Sequence, residues 1–156
     1  MIYKNGVLVS VATAVGVGAR VYNDSPFTVA NNVYDTVEFN TESWDTDNCH
    51  DNVTNNDRLT CRTAGKYLLI AQIRWVGNAT GYREMSIRVA NGASTPRAYT
   101  QKSDLNANNC AQNLATIVDM AVNEYARVYV KQTSGGNLDI EGGKRYAPDF
   151  MMMKIG

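Results

Sequence analysis

The sequence predicts an all-β protein built as an antiparallel sandwich or barrel. Three observations carry this. Residues 65–76 run without a breaker after Gly65, and the odd positions Tyr67, Leu69, Ala71, Ile73 and Trp75 are all apolar. That is the period-two alternation of a strand with one face in a core. Similar short β-rich runs recur along the chain, separated by clusters of Gly, Asn, Asp and Ser. No segment keeps a helical apolar period through three turns. Residues 114–122 come nearest, but Thr116, Ile117 and Val118 in succession favour extended backbone.

The first apolar stretch, residues 7–18, is broken by Gly16 and Gly18 and is too short to span a bilayer. Residues 1–17 therefore read as an N-terminal arm ahead of one domain at 18–156. Strands are expected at 19–22 and at 33–39, the second ending on Phe39, because both are rich in β-branched and aromatic residues. Residues 40–57 read as one long polar loop. The strand at 66–76 follows, and its even positions change from apolar Leu68 and Ile70 to polar Gln72 and Arg74. That face passes from a covered region into solvent or a polar interface. The next strand, 82–90, is entered through Gly77-Asn-Ala-Thr-Gly81, and Asn91-Gly92 signals a hairpin into 98–101. A strand at 112–120 precedes one at 125–132, where Ala126, Val128 and Val130 alternate with Tyr125, Arg127, Tyr129 and Lys131. Turns at Ser134-Gly-Gly-Asn137 and Gly142-Gly143 set off the closing strands at 138–140 and 150–155.

The chain has 156 residues, with Lys+Arg 15 against Asp+Glu 15. That length buries a true core in a single domain. The balanced charge and lack of a dense basic run argue against nucleic acid as a partner, because phosphate binding needs clustered cations. No membrane association is expected. Three cysteines, Cys49, Cys61 and Cys110, are an odd count without a CxxC pair. They read as buried free thiols rather than a disulfide framework or a zinc site.

The densest polar constellation is Trp44-Asp-Thr-Asp-Asn-Cys-His-Asp51, which holds the one histidine of the chain. Asp45, Asp47, His50 and Asp51 offer oxygen and imidazole ligands, so calcium is the cofactor this loop would take if it takes any. The bland alternative is a loop held by Asx turns. Cys49 and His50 are neighbours whose side chains diverge on extended backbone. They make a poor nucleophile–base pair, and no nucleophile elbow, phosphate loop or dinucleotide fingerprint is present. No enzymatic activity is expected.

In order and spacing, these elements resemble the globular C1q-like domain of the tumour necrosis factor/complement C1q superfamily. Asn32-Val-Tyr-Asp-Thr-Val-Glu-Phe39 resembles that family's second strand. Leu59-Thr-Cys-Arg-Thr-Ala-Gly65 followed by Lys-Tyr-Leu-Leu69 is similar to its signature around a Gly-x-Tyr, with Leu in place of the first and last Phe. Tyr125–Gln132 with its following glycine turn resembles the penultimate strand, and residues 150–155 the last. The resemblance covers residues 18–156 and implies a jelly-roll sandwich assembled as a homotrimer. It places Tyr67, Leu69, Tyr129, Phe150 and Met152 as candidates for the trimer core, with Leu68 and Ile70 on a face toward a neighbouring subunit. There is no collagen-like Gly-X-Y stalk, so a classical complement role is not implied.

Arg20-Val-Tyr-Asn23, Ser43-Trp-Asp-Thr-Asp47 and Arg58-Leu-Thr60 are similar to the prokaryotic and phage branch, whose members are virion surface parts. A free-standing trimer with a short arm suits a capsid decoration or cement protein on the exterior of a phage head. Ile2, Tyr3, Val7 and Val9 of the arm would then dock on the major capsid protein or another virion protein. The alternative is a receptor- or carbohydrate-binding tip of a tail fibre, or a secreted C1q-like binding module, working through residues 40–57.

Overall fold

The computed structural model describes residues 2–4, 7–9, 16–90, 95–103, 106–143 and 148–156. Among them there are fourteen strands and no helix. Every strand–strand ladder is antiparallel.

The strands, in order, are β1 (Ile2–Lys4), β2 (Val7–Val9), β3 (Gly18–Tyr22), β4 (Phe27–Val29), β5 (Asp35–Thr36), β6 (Thr41–Asp45) and β7 (Arg58–Thr60). They continue as β8 (Gly65–Trp75), β9 (Arg83–Ala90), β10 (Pro96–Lys102), β11 (Cys110–Met120), β12 (Tyr125–Gln132), β13 (Leu138–Ile140) and β14 (Asp149–Lys154). The arm is a hairpin, with Ile2 opposite Val9 and Lys4 opposite Val7, and it makes a two-stranded sheet of its own.

The domain is two sheets face to face. In one, β8 lies between β11 and β14, and β14 leads on to β3 and then β6; β13 and β4 extend it at the far end of β8. In the other, β9 lies between β10 and β12, and β12 pairs on its other edge with β5 and β7. Long-range pairing of this kind places the last strand, β14, in the middle of the first sheet, next to the longest strand.

The alternation read from the sequence sets the core. Tyr67, Leu69, Ala71, Ile73 and Trp75 of β8 point inward with Val21, Phe150 and Met152. They meet Met85, Ile87, Ala126, Val128 and Val130 from the second sheet, all buried. Phe39 stacks on Phe150 with ring centroids 5.8 Å apart, an offset aromatic pair at the sandwich centre. Gly65 is required where β8 begins: an added Cβ would lie 2.3 Å from the Gly156 carbonyl oxygen, which accepts the Lys66 N–H.

Two expectations are corrected here. Residues 33–39 do not form a continuous strand. Only Asp35–Thr36 pairs as β5, while the Val37 and Phe39 N–H groups are taken singly by Val128 and Asn56 carbonyls. Residues 40–57 are not a single loop either, since Thr41–Asp45 is the edge strand β6 beside β3. The Asn91-Gly92 turn lies outside the described residues.

Candidate functional site

Side chains on β8 that point away from the core meet like side chains on the strands beside it. Leu68 is directly opposite Ile117 of β11 on one side and Met153 of β14 on the other. Ile70 is opposite Ala115 and Met151 in the same way. Directly paired residues share a face, so these six form one apolar patch on the outer surface of the first sheet. Met151 is followed by Arg20 of β3 and Trp44 of β6 in the same cross-strand row. Ile117 is 60% exposed and Met153 36%, while Leu68, Ile70 and Met151 are half-buried.

A polar rim surrounds the patch. Lys66 pairs with Asp119 at 2.8 Å along one edge, and Arg20 pairs with Asp149 at 2.8 Å along the other. Arg74 with Glu141 at 3.1 Å, together with Gln72 and Asn113, closes the end where the sequence of β8 turns polar. The change of character along the even positions of β8 is therefore the boundary between an apolar centre and its rim. An apolar centre inside a charged rim is the anatomy of a protein–protein interface.

The side chains expected at a trimer axis separate into two groups. Tyr67, Leu69, Phe150 and Met152 are fully enclosed in the core of the single chain, which corrects their assignment to contacts between chains. The error has a plain origin: Phe150, Met151, Met152 and Met153 are apolar at both parities, so alternation does not say which pair faces inward. Tyr129 lies on the outer face of the second sheet beneath the Arg88 guanidinium, 4.4 Å from its ring centroid. Leu68 and Ile70 sit on the exposed side. Ile117, Met151, Met153 and Trp44 join them without having been singled out in the sequence; the register of β8 against β11 and β14 is what collects them. Of the arm, Ile2, Tyr3, Val7 and Val9 all lie in the β1–β2 hairpin.

The polar loop after β6 is tied to itself. Asp45 accepts backbone N–H groups from Asp47, Cys49 and His50 at 2.9–3.1 Å. Asp51 accepts those of Val53 and Thr54 at 2.8 and 2.9 Å, which holds its carboxyl below the usual range. The His50 ring is buried between Glu42 Oε1, 3.2 Å from Nδ1, and the Asn56 carbonyl, 3.3 Å from Nε2. Thr63 Oγ1 donates to Asp47 Oδ2 at 3.0 Å. Asp45 and Asp51 thus close turns, Asp47 and His50 tie the loop to Thr63, Glu42 and Asn56, and among the described residues no group of acids, histidines and cysteines is arranged to hold a metal ion.

A shallow cleft of about 120 Å³ borders His50, Asp51, Arg58 and Arg62. It holds no activated nucleophile. Cys49 and Cys61 are buried free thiols and Cys110 is half-buried. Burial pushes the Cys49 thiol up to about 12, and burial likewise raises that of Cys61.

No protein-family model matches the chain, and no curated protein is similar to it. Solved structures are similar. Murine APRIL, crystallised at pH 8.5, superposes with a TM-score of 0.63 at 10% identity, covering 88% of this chain and 99% of the APRIL chain. The globular domain of zebrafish complement 1qA superposes with a TM-score of 0.60 at 11% identity, covering 90% of this chain and 98% of that domain. The fold is the C1q/tumour necrosis factor jelly roll. At such low identity the superpositions carry architecture alone.

Proposed function

We propose that the protein is a non-enzymatic, trimeric jelly-roll module that acts by multivalent attachment, and specifically a decoration protein on the exterior of a phage head. One observation carries the trimer: the Leu68, Ile70, Ile117, Met151 and Met153 patch, apolar, central to its sheet and rimmed by ion pairs. A face of this kind is costly to leave in water, at about 25 cal/mol for each Å² of apolar surface. The threefold number comes from the resemblance of the whole domain to the C1q-like family. Permanent interfaces in such assemblies typically bury on the order of 2,000–5,000 Å².

Placement on a phage particle is supported by the similarity of Arg20–Asn23, Ser43–Asp47 and Arg58–Thr60 to the phage branch of that family. The arm supports attachment. An isolated two-stranded hairpin is marginal in water, and among the described residues β1 and β2 pair only with each other, which suits them to adding strands to a neighbouring sheet. Three arms on one trimer convert weak single contacts into avid binding across a capsid threefold. The test is to mix undecorated phage heads with the full chain and with a chain lacking residues 1–17. The full chain should co-sediment with the heads and the truncated one should not. Equal binding by both chains would overturn the role of the arm, and binding by neither would overturn the decoration reading.

A further inference from the structure

The outer face of the second sheet carries a different chemistry. Arg58 of β7, Arg127 of β12 and Arg88 of β9 stand directly opposite one another across three strands. Like charges placed directly opposite are destabilising in a sheet, and this fold does not need them: the core is made by the opposite side chains of the same strands. Lys131, two residues beyond Tyr129 on β12, adds a fourth cation to this face.

Of the carboxylates around this face, Asp57 and Glu84 are engaged, and Glu84 stands directly opposite Lys131. Asp57 pairs with Arg127 at 2.9 Å, and Glu84 accepts the Tyr34 hydroxyl at 2.7 Å. Arg58, Arg88 and Lys131 have no carboxylate partner among the described residues. They rest on tyrosine rings instead. Arg88 lies 4.4 Å from the Tyr129 centroid and 5.1 Å from that of Tyr34, which also carries Lys131 at 4.8 Å. Arg58 and Arg127 lie 4.7 and 4.8 Å from the Tyr125 centroid. Stacking of this kind orients the Arg58 and Arg88 guanidinium groups without neutralising their charge.

We propose that this face binds an acidic polysaccharide of the polyuronate class. The cations are arrayed across three neighbouring strands, which suits an extended polymer better than a small molecule. The arginines repeat at the strand spacing of about 4.8 Å, close to the advance of one sugar residue in an extended chain. Their planar forks match carboxylate groups. Nucleic acid fits less well, because the tyrosine faces are already covered by cations and offer no platform on which a base would stack. The face lies on the opposite side of the sandwich from the apolar patch, so assembly through that patch leaves it open. The proposal goes beyond head attachment and stands or falls independently of it.

Titration calorimetry of the full chain with polygalacturonate, neutral dextran and single-stranded DNA tests this. Polygalacturonate should bind, dextran should not, and the DNA should bind at least about tenfold more weakly. Affinity should fall with salt, by roughly 0.7 log unit per log unit of salt for each cation engaged. The combined Arg58→Gln, Arg88→Gln and Lys131→Gln variant should lose about tenfold or more in affinity. If that variant does not fold, Arg58→Gln and Lys131→Gln taken singly should each weaken binding by about threefold at an unchanged melting temperature. Lys154→Gln, on the other sheet, should leave affinity unchanged. Absence of polygalacturonate binding, insensitivity to the substitutions, or DNA binding as tight as polygalacturonate would overturn the proposal.

Discussion

Leu68 and Leu69 are neighbours on β8 that report on different things, and substituting each separates folding from assembly. Leu69 is fully enclosed beneath the second sheet, with Met152 beside it on β14. Leu69→Ala should cost about 2–5 kcal/mol through lost burial and the cavity left behind. In a domain of this size a loss of about 3 kcal/mol lowers Tm by roughly 6–12 °C. Leu68 points the other way, half-buried between Ile117 and Met153. Leu68→Asp removes at most about 1–2 kcal/mol of partial burial and strand preference from the single chain. In the assembly it also removes about 1 kcal/mol of further burial per copy and buries a carboxylate at a cost of several kcal/mol. Summed over three copies, association is weakened on the order of 10 kcal/mol, enough to dissociate the trimer at micromolar concentration. Sedimentation velocity read beside circular dichroism separates the outcomes. Leu69→Ala should lower Tm and keep the mass, whereas Leu68→Asp should keep the β spectrum and fall to the mass of one chain. A Leu68→Asp protein that keeps the wild-type mass would refute the assignment of this face.

Other consequences follow from the buried groups. Arg83 is 1% exposed, has its guanidinium 5.9 Å from the Trp75 ring centroid, and donates to the Asn78, Thr80 and Tyr82 carbonyls at 3.0 Å. Arg83→Ala should cost about 3 kcal/mol or more by leaving those carbonyls and the Trp75 face unpartnered, read as a shift in denaturant midpoint. The Cys49 thiol, raised from its ordinary value of 9.0 to about 12 by burial, makes the native state hold a proton that the unfolded chain releases. Its contribution is complete below pH 9 and is lost as pH rises from 9 toward about 12, so Tm should fall over that window. Cys49→Ala should flatten the fall. Calcium or chelator should move Tm by less than about 1 °C, because the Asp45 and Asp51 carboxylates already accept backbone N–H groups of their own loop; a larger rise with calcium would support a metal at residues 45–51.

Strands that bury one face were legible in the sequence because burial writes a period of two. β12 and β13 are found at the bounds the alternation predicts, and β8 differs by a residue at each end. The elements that were missed bury too little to leave such a mark. β7 has a single buried residue, Leu59, and β6, an edge strand with a register shift against β3, has none. β4 is three residues long and buries only Val29. The apolar patch was half legible. Leu68 and Ile70 stood out because the polar Gln72 and Arg74 followed them. Ile117, Met151 and Met153 joined only through register, which a one-dimensional pattern does not carry. His50 shows the opposite case: a polar loop whose histidine reads as a ligand is buried as a tie between Glu42 and Asn56.

The central claim is that the outer face of β8, β11 and β14 holds three chains together. Sedimentation equilibrium of the unmodified protein across the micromolar range measures this most directly. The predicted result is a single species of three chain masses at every concentration. A protein that remains at one chain mass throughout, with the Leu68, Ile70, Ile117, Met151 and Met153 face left in water, would contradict it.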